Sequence, residues 1–355
     1  MAIKSLIINP GSTSTKLAVF EDETLVFDET LRHSTQELAG FEHIFDQKDF
    51  RKKMILDFLS EKKVDIHSFD VVVGRGGLLK PIPGGTYAVT DALLADLKIG
   101  VQGEHASNLG GAIAREIGDE IGVPSYIVDP VVVDELTDIA RLSGVPECPR
   151  VSIFHPLNQK AVARRYAKEQ GKKYEDLNLI VCHLGGGVSC GIHDHGRIVD
   201  VYGAFNGDGC FSPERANGLP PLSLIKLCFC GKYSQQEVTK KIIGGGGFNA
   251  YLGTNDAREI FQRIENGDDY AKTVMDAFIY QLCKNIAANA SVVKGRVDQI
   301  LVTGGIAYQP KVIEAIRDRV DWIAPVTAYP GEEEMLALAQ GALRVMRGEE
   351  KVQKY

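Results

Sequence analysis

Two segments about 175 residues apart are built alike. The first reads Leu6-Ile7-Ile8-Asn9-Pro10-Gly11-Ser12-Thr13-Ser14-Thr15-Lys16-Leu17. The second reads Leu179-Ile180-Val181-Cys182-His183-Leu184-Gly185-Gly186-Gly187-Val188-Ser189-Cys190-Gly191. Each runs an apolar strand into a glycine turn with small hydroxyl residues, and then into a second strand. Such a turn offers backbone N–H groups and hydroxyls to an anion, with no side chain blocking the approach. One turn in each half of the chain predicts a duplicated fold that closes on a polyphosphate.

At 355 residues the chain is too long for one ordinary core, so two domains are expected. Strands are predicted over residues 4–8, 15–20 and 24–31, a helix over 48–62, and a buried strand over Phe69–Gly74. Thr90 is placed to cap a helix that runs through Leu97. A further helix covers 107–121, and a strand runs from Tyr126 to Asp129. The second half starts over with a helix over 156–170 and strands over 178–183, 188–193 and 197–202. A long helical stretch follows over 265–293, then a strand Gln299–Thr303 entering Gly304-Gly305, and a last helix over 333–347. The order β-β-β-α-β-α-β-α thus occurs twice, which predicts a duplicated two-domain α/β fold. The expected domains are residues 1–150 together with the C-terminal helix 331–355, and residues 151–330.

Composition narrows the partners. The net charge is −7 with no block of like charge, which argues against nucleic acid and anionic membranes. No apolar run approaches the length of a membrane span, and the N-terminus enters a strand without a signal-peptide core. The seven cysteines are scattered. Cys228 and Cys230 form a C-x-C without a second ligand pair at zinc spacing, so free thiols in a reducing cytoplasm are expected. His33, His43, His67, His193 and His195 show no metal-ligand spacing and read as structural or solvent-facing. Gly244-Gly-Gly-Gly247 reads as a flexible connection between helices, since no clear strand precedes it.

Six motifs in order carry a resemblance. Asn9-Pro-Gly-Ser-Thr-Ser-Thr-Lys16 resembles the first phosphate motif of the acetokinase family, and His183-Leu-Gly-Gly-Gly-Val-Ser189 resembles the second. Val302-Thr-Gly-Gly-Ile-Ala-Tyr308 is similar to its adenosine motif. The runs Val73–Tyr87, Gly103–Gly111 and Phe211–Pro220 point to the branch of the family that acts on butyrate. The family belongs to the acetate and sugar kinase, Hsp70 and actin superfamily. The resemblance therefore implies a ribonuclease H-like, actin-like ATPase fold. It also implies a reversible reaction, ATP + butyrate giving butyryl phosphate + ADP. A branched-chain, propionate or acetate kinase is the alternative within the family. A nucleotide-gated ATPase that is not a kinase is the alternative outside it. A dinucleotide oxidoreductase is disfavoured, because its glycine motif should open a helix and here the turn leads into a strand.

Phosphoryl transfer to a carboxylate needs no general base, because the acceptor is already ionised. It needs positive charge where two anions meet, and arginine forks supply it. Arg75 directly follows a buried strand and sits among glycines. Spacing alone reads it equally as a surface loop arginine, and the resemblance implies a catalytic role. The resemblance also implies catalytic roles for Arg215, for His183 against the phosphoryl in flight, and for Asp129 in orienting Arg75 or a magnesium water. ATP or ADP is expected on Asn9, Gly11, Ser12, Ser14 and Lys16, on Gly185, Gly186 and Gly187, and on Gly304, Gly305 and Ile306. Magnesium is expected on Asn9 and one glutamate of Glu332-Glu333-Glu334, with Glu333 preferred. His105 and Asn108 are candidates for lining the acyl site. The short Gly74-Arg75-Gly76-Gly77 run is expected to leave room for the longer acyl chain. A homodimer or larger assembly is implied by the family.

Overall fold

The structure is a computed structural model that describes residues 2–355 except Asn206. The chain divides into two compact units, Met1–Val133 with Glu333–Tyr355, and Asp134–Glu332. The first carries β1 (Lys4–Pro10), β2 (Ser14–Glu21), β3 (Thr24–Arg32), α1 (Thr35–Leu38), α2 (Lys48–Glu61) and β4 (Val71–Arg75). It continues with β5 (Thr86–Ala88), α3 (Asp91–Ile99), α4 (Asn108–Ile121) and β6 (Ser125–Val128). The second unit opens with α5 (Asp138–Arg141), α6 (Pro156–Glu169), β7 (Asn178–Leu184), β8 (Val188–Asp194) and β9 (Arg197–Tyr202). Helices α7 (Pro221–Cys228), α8 (Gln235–Ile242), α9 (Gly247–Leu252), α10 (Ala257–Glu265) and α11 (Asp269–Val292) follow. β10 (Gln299–Gly304), α12 (Pro310–Val320) and β11 (Val326–Pro330) complete it, and the chain returns to the first unit as α13 (Glu334–Met346).

The two sheets repeat one pattern. The first runs β3-β2-β1-β4-β6-β5, and the second, taken from its other edge, runs β9-β8-β7-β10-β11. In each, the three-stranded meander is antiparallel and the crossover strands join in parallel. The strand leading into each glycine turn lies at the centre of its sheet. Leu6, Ile7 and Ile8 are wholly buried, as are Leu179, Ile180, Val181 and Cys182. A central strand covered on both faces must be apolar at successive positions, which is why these runs do not alternate. Leu6, Ile8, Leu17 and Val19 pack with α2 and α4 in the first unit. In the second, α11 and α12 pack their buried faces with Ile180, Cys182 and Ile300.

The division falls at Val133 rather than near residue 150. Residues 134–150 are tied to the second unit: Glu135 pairs with the buried Lys160 at 2.9 Å and accepts from Ile198 N at 2.7 Å. Arg150 pairs with Asp200 at 2.7 Å and Asp208 at 2.9 Å. The helical stretch predicted over 265–293 is the single helix α11, starting a few residues later because Gly267 takes φ +88° and Asp268 caps α11 through Ala271 N at 2.9 Å. Thr90 caps α3 as expected, accepting from Leu93 N. β5, β11, the short helices α1 and α5, the helices α7 to α10 and α12 were not predicted.

Candidate active-site residues

The first turn, between β1 and β2, pairs Asn9 with Lys16 across the ladder. Directly opposite residues share a face, so the exposed Lys16 stands on the side of Asn9. Asn9 Nδ2 donates to Glu334 Oε2 at 2.9 Å, and Arg75 Nη1 lies 2.6 Å from Glu334 Oε1. The carboxylate that the fold brings to Asn9 is therefore Glu334. Glu333, which the sequence reading preferred, is exposed at the start of α13, and Glu332 reaches His183 instead, with 3.0 Å from its Oε1 to Nε2. Three successive residues around a helix start point in three directions, so sequence alone did not separate them.

Arg75 is set by tight backbone packing between β4 and α4. A Cβ on Gly74 would lie 2.1 Å from Gly110 O, and one on Gly110 would lie 2.4 Å from Arg75 O. Only glycines allow this approach. The same packing corrects the expected acyl room. A Cβ at Gly76 would meet Pro130 Cβ at 2.5 Å, and one at Gly77 would meet Asn108 Cα at 2.6 Å. The space beside these glycines is already filled by the protein. Asn108 is likewise committed, since Oδ1 accepts from Leu78 N (2.8 Å) and Nδ2 donates to Gly103 O (3.0 Å). His105 is open to solvent on one side. Its pKa lies below the ordinary histidine value, through partial burial and then the charge of Arg75. Asp129 is buried at φ +37°, and its Oδ1 accepts from Gly85 N at 2.7 Å, so its carboxylate fixes the turn before β5.

The second turn, between β7 and β8, is closed by Gly185 N donating to Gly187 O at 3.1 Å. Arg215 lies over it. A Cβ on Gly187 would come 2.1 Å from Arg215 Nη1, which itself donates to Ala204 O at 2.7 Å. Ser212 Oγ donates to Gly186 O at 2.7 Å, tying the arginine loop to the turn. Burial pulls the Arg215 pKa down against the opposing charge of Glu214. The Gly244–Gly247 run does join α8 and α9, but it is packed rather than loose. Gly244 N donates to Glu214 O (2.7 Å), Ala216 N to Ile242 O (2.9 Å) and Phe248 N to Ser212 O (3.1 Å). A Cβ on Gly247 would fall 1.6 Å from Ser212 O, so these glycines form a backbone seat for the Arg215 loop.

Gly304, at φ +93°, would place a Cβ 2.5 Å from Leu184 O, and it exchanges backbone hydrogen bonds with Gly331 at 3.1 and 3.0 Å. Gly305 is open. Ile306, expected against the nucleotide, is buried in the core beside α11 and α12. His183 is buried, with its Nδ1 unpartnered and its ring stacked on His155 at 4.1 Å between centroids. His155 escaped the sequence reading. Its signal was a histidine immediately before Pro156, the residue that opens α6.

Comparison with known proteins decides the family. Residues 149–321 match the acetokinase family. A probable butyrate kinase of Clostridium botulinum (strain Alaska E43 / Type E3) is 59% identical over 355 residues, covering 100% of both chains. Butyrate kinase 2 of Clostridium acetobutylicum is 58% identical over 355 residues, again 100% of both. The chain belongs to the acetokinase family. An acetate kinase of Porphyromonas gingivalis superposes with TM-score 0.79 at 18% identity, over 97% of this chain and 100% of that one. A propionate kinase of Francisella tularensis gives 0.74 at 19%, over 96% and 98%. These two share the fold of this acetokinase. Among the described residues no helix is long and apolar enough to cross a membrane.

Behind His155 this acetokinase holds a buried polar chain. His155 Nδ1 meets Ser189 Oγ (2.9 Å), Gln159 Nε2 donates to the same Oγ (2.9 Å), and Gln159 Oε1 meets His193 Nε2 (3.1 Å). Tyr174 OH meets His193 Nδ1 at 2.7 Å. Burial, then the charges of Lys160 and Arg164, hold His193 well below its ordinary pKa, so it is neutral when folded. The unfolded chain takes up that proton below about pH 6.5, so this stability is intact above that pH and falls on acidification. Urea unfolding at pH 7.5, 6 and 5 should show His193 contributing a loss of about 1.4 kcal/mol per pH unit below 6.5. His193→Phe, less stable at every pH, should lose that part of the slope; an identical slope would contradict a neutral buried ring.

Proposed function

We propose that this protein transfers the terminal phosphoryl of ATP to butyrate, giving butyryl phosphate and ADP, and also runs the reverse. The observation that carries the choice of acid is the full-length likeness, at 58–59% identity, to proteins named butyrate kinase. In the forward direction a carboxylate oxygen forms a bond to the γ-phosphorus as the bond to the β–γ bridging oxygen breaks, and ADP leaves. No proton has to be removed from the acceptor.

Arg75 is the group to hold the carboxylate, because a fork binds two oxygens at once. The turn at Gly11, Ser12 and Ser14, with Lys16 beside it, receives phosphate oxygens. In the second unit, Gly186 and Gly187 take phosphate on backbone N–H groups while Gly185 N closes the turn, and Gly305, beside the packed Gly304, leaves an open approach for the adenosine. Arg215 and His183 stabilise charge on the transferring group. Asn9 Oδ1 and Glu334 supply hard oxygens, a donor set that suits magnesium. Bound there, the ion would neutralise polyphosphate charge. Among the described residues no three His, Cys, Asp or Glu gather around one point, so phosphate and water would complete its shell. The seven cysteines are free thiols, which supports a cytoplasmic setting, and we take the working form to be a homodimer or larger.

A hydroxamate assay over straight and branched C2–C6 acids tests the assignment. Butyrate or a branched C4–C5 acid should exceed acetate in kcat/KM, by about tenfold per methylene. A higher value for acetate would overturn the choice of acid. ATP hydrolysis indifferent to every acid would point to the non-kinase reading.

A further inference from the structure

Beneath the first glycine turn lies a buried arginine that no motif contains. Arg51, on α2, is wholly buried. Its Nη1 donates to Gly11 O (2.8 Å), Ser14 O (2.9 Å) and Thr15 Oγ1 (3.2 Å), and its Nη2 donates to Ser12 O (3.1 Å). Gln47 Oε1 accepts from Nε (3.1 Å) and Nη2 (2.8 Å). Every partner is a neutral oxygen. Burial alone brings the guanidinium down to about 10, so it remains charged at neutral pH. A buried cation without a counter-charge is costly, and an anionic ligand nearby would offset that cost.

The contacts also orient the turn. Thr13 O, the carbonyl that Arg51 does not reach, accepts from His33 N at 2.9 Å. All the carbonyls from Gly11 to Ser14 are thus taken up by the protein. The peptide bonds are trans, so a carbonyl aimed at Arg51 turns the following N–H the opposite way. The N–H groups of Ser12 and Thr13 therefore point away from the arginine, and both residues are exposed. We propose that Arg51 is a positioning residue for nucleotide phosphate, holding the carbonyls of the turn inward so that its N–H groups meet the anion, and adding its own charge from behind. This rests on the reading of the turn as a phosphate site.

The test measures ADP and tripolyphosphate affinity by calorimetry, the rise in Tm that ADP produces, and KM for each substrate. Arg51→Met should weaken ADP about tenfold or more and shrink the ADP-induced rise in Tm, with KM for butyrate within about twofold. Arg51→Lys, which keeps the charge without the fork, should fall between. Gln47→Met, which loosens the fork, covers the case in which Arg51→Met fails to fold, and should weaken ADP less. A purely structural arginine would lower Tm equally with and without ADP and leave affinity unchanged; that result overturns the proposal. Ser12→Ala and Lys16→Met separate the two readings. If they weaken ADP and the Arg51 and Gln47 variants do not, only the role of Arg51 fails. If none of them matters, the turn is not a phosphate site.

Discussion

Arg75→Ala is expected to lower kcat by about 10²–10³-fold or more while ADP affinity changes little. The side chain is the one cation that the fold sets at the end of β4 by backbone-to-backbone packing, with Gly74 against Gly110 leaving no freedom to move the strand end. Its carboxylate partner within the chain is Glu334, at 2.6 Å. Glu334, a quarter exposed with the arginine in place, keeps its bond to Asn9 and gains water when the arginine is removed, so the loss of folding stability should be on the order of 1 kcal/mol. Arg75→Lys should recover only part of the rate, because a point charge cannot hold two oxygens in one plane. Steady-state kinetics with calorimetric ADP binding decide the matter. Turnover near wild type in a folded Arg75→Ala protein would remove this arginine from the mechanism.

Gly187→Ala is expected to cost about 10²-fold in kcat/KM without unfolding the protein. The added methyl would sit 2.1 Å from Arg215 Nη1 and 3.5 Å from Ala204 Cβ. The nearest obstacle is the far end of a flexible side chain, so the guanidinium moves and the backbone stays. Its hydrogen bond to Ala204 O and its station over the glycine turn are both lost. The double variant provides the sharper measurement. If the whole effect of the methyl is to displace Arg215, then Gly187→Ala added to Arg215→Ala should cost nothing further. Fully additive losses would mean that Gly187 matters for its own sake, as a place where phosphate meets bare backbone. Circular dichroism confirms that each variant is folded.

Gly244 to Gly247 show how a sequence feature can be noticed and misread. A run of glycines reads as looseness when only its neighbours in the chain are visible. Here it lies under residues 212–216, where any side chain at 247 would strike a carbonyl. The glycines beside Arg75 carry the same lesson in the opposite sense: missing side chains looked like a pocket, and Pro130 and helix α4 fill that space. In both cases the absent atoms are replaced by another part of the backbone, distant in sequence.

The strands other than β5 and β11, their duplicated order and the two glycine turns were legible from the sequence because local patterns encode them. Apolar runs mark central strands, and a glycine turn between two strands marks an anion seat, whatever surrounds it. Arg75, His183 and Arg215 were named through the family resemblance of the motifs they stand in, since spacing alone left Arg75 equally a surface arginine. Tertiary structure alone decided which glutamate meets Asn9, because that depends on where α13 begins and how it packs. It alone set His155 on His183, 28 residues apart in the chain, and Arg51 under a turn about 40 residues earlier. Those contacts follow from the docking of helices on sheets, and no short stretch of sequence contains both partners.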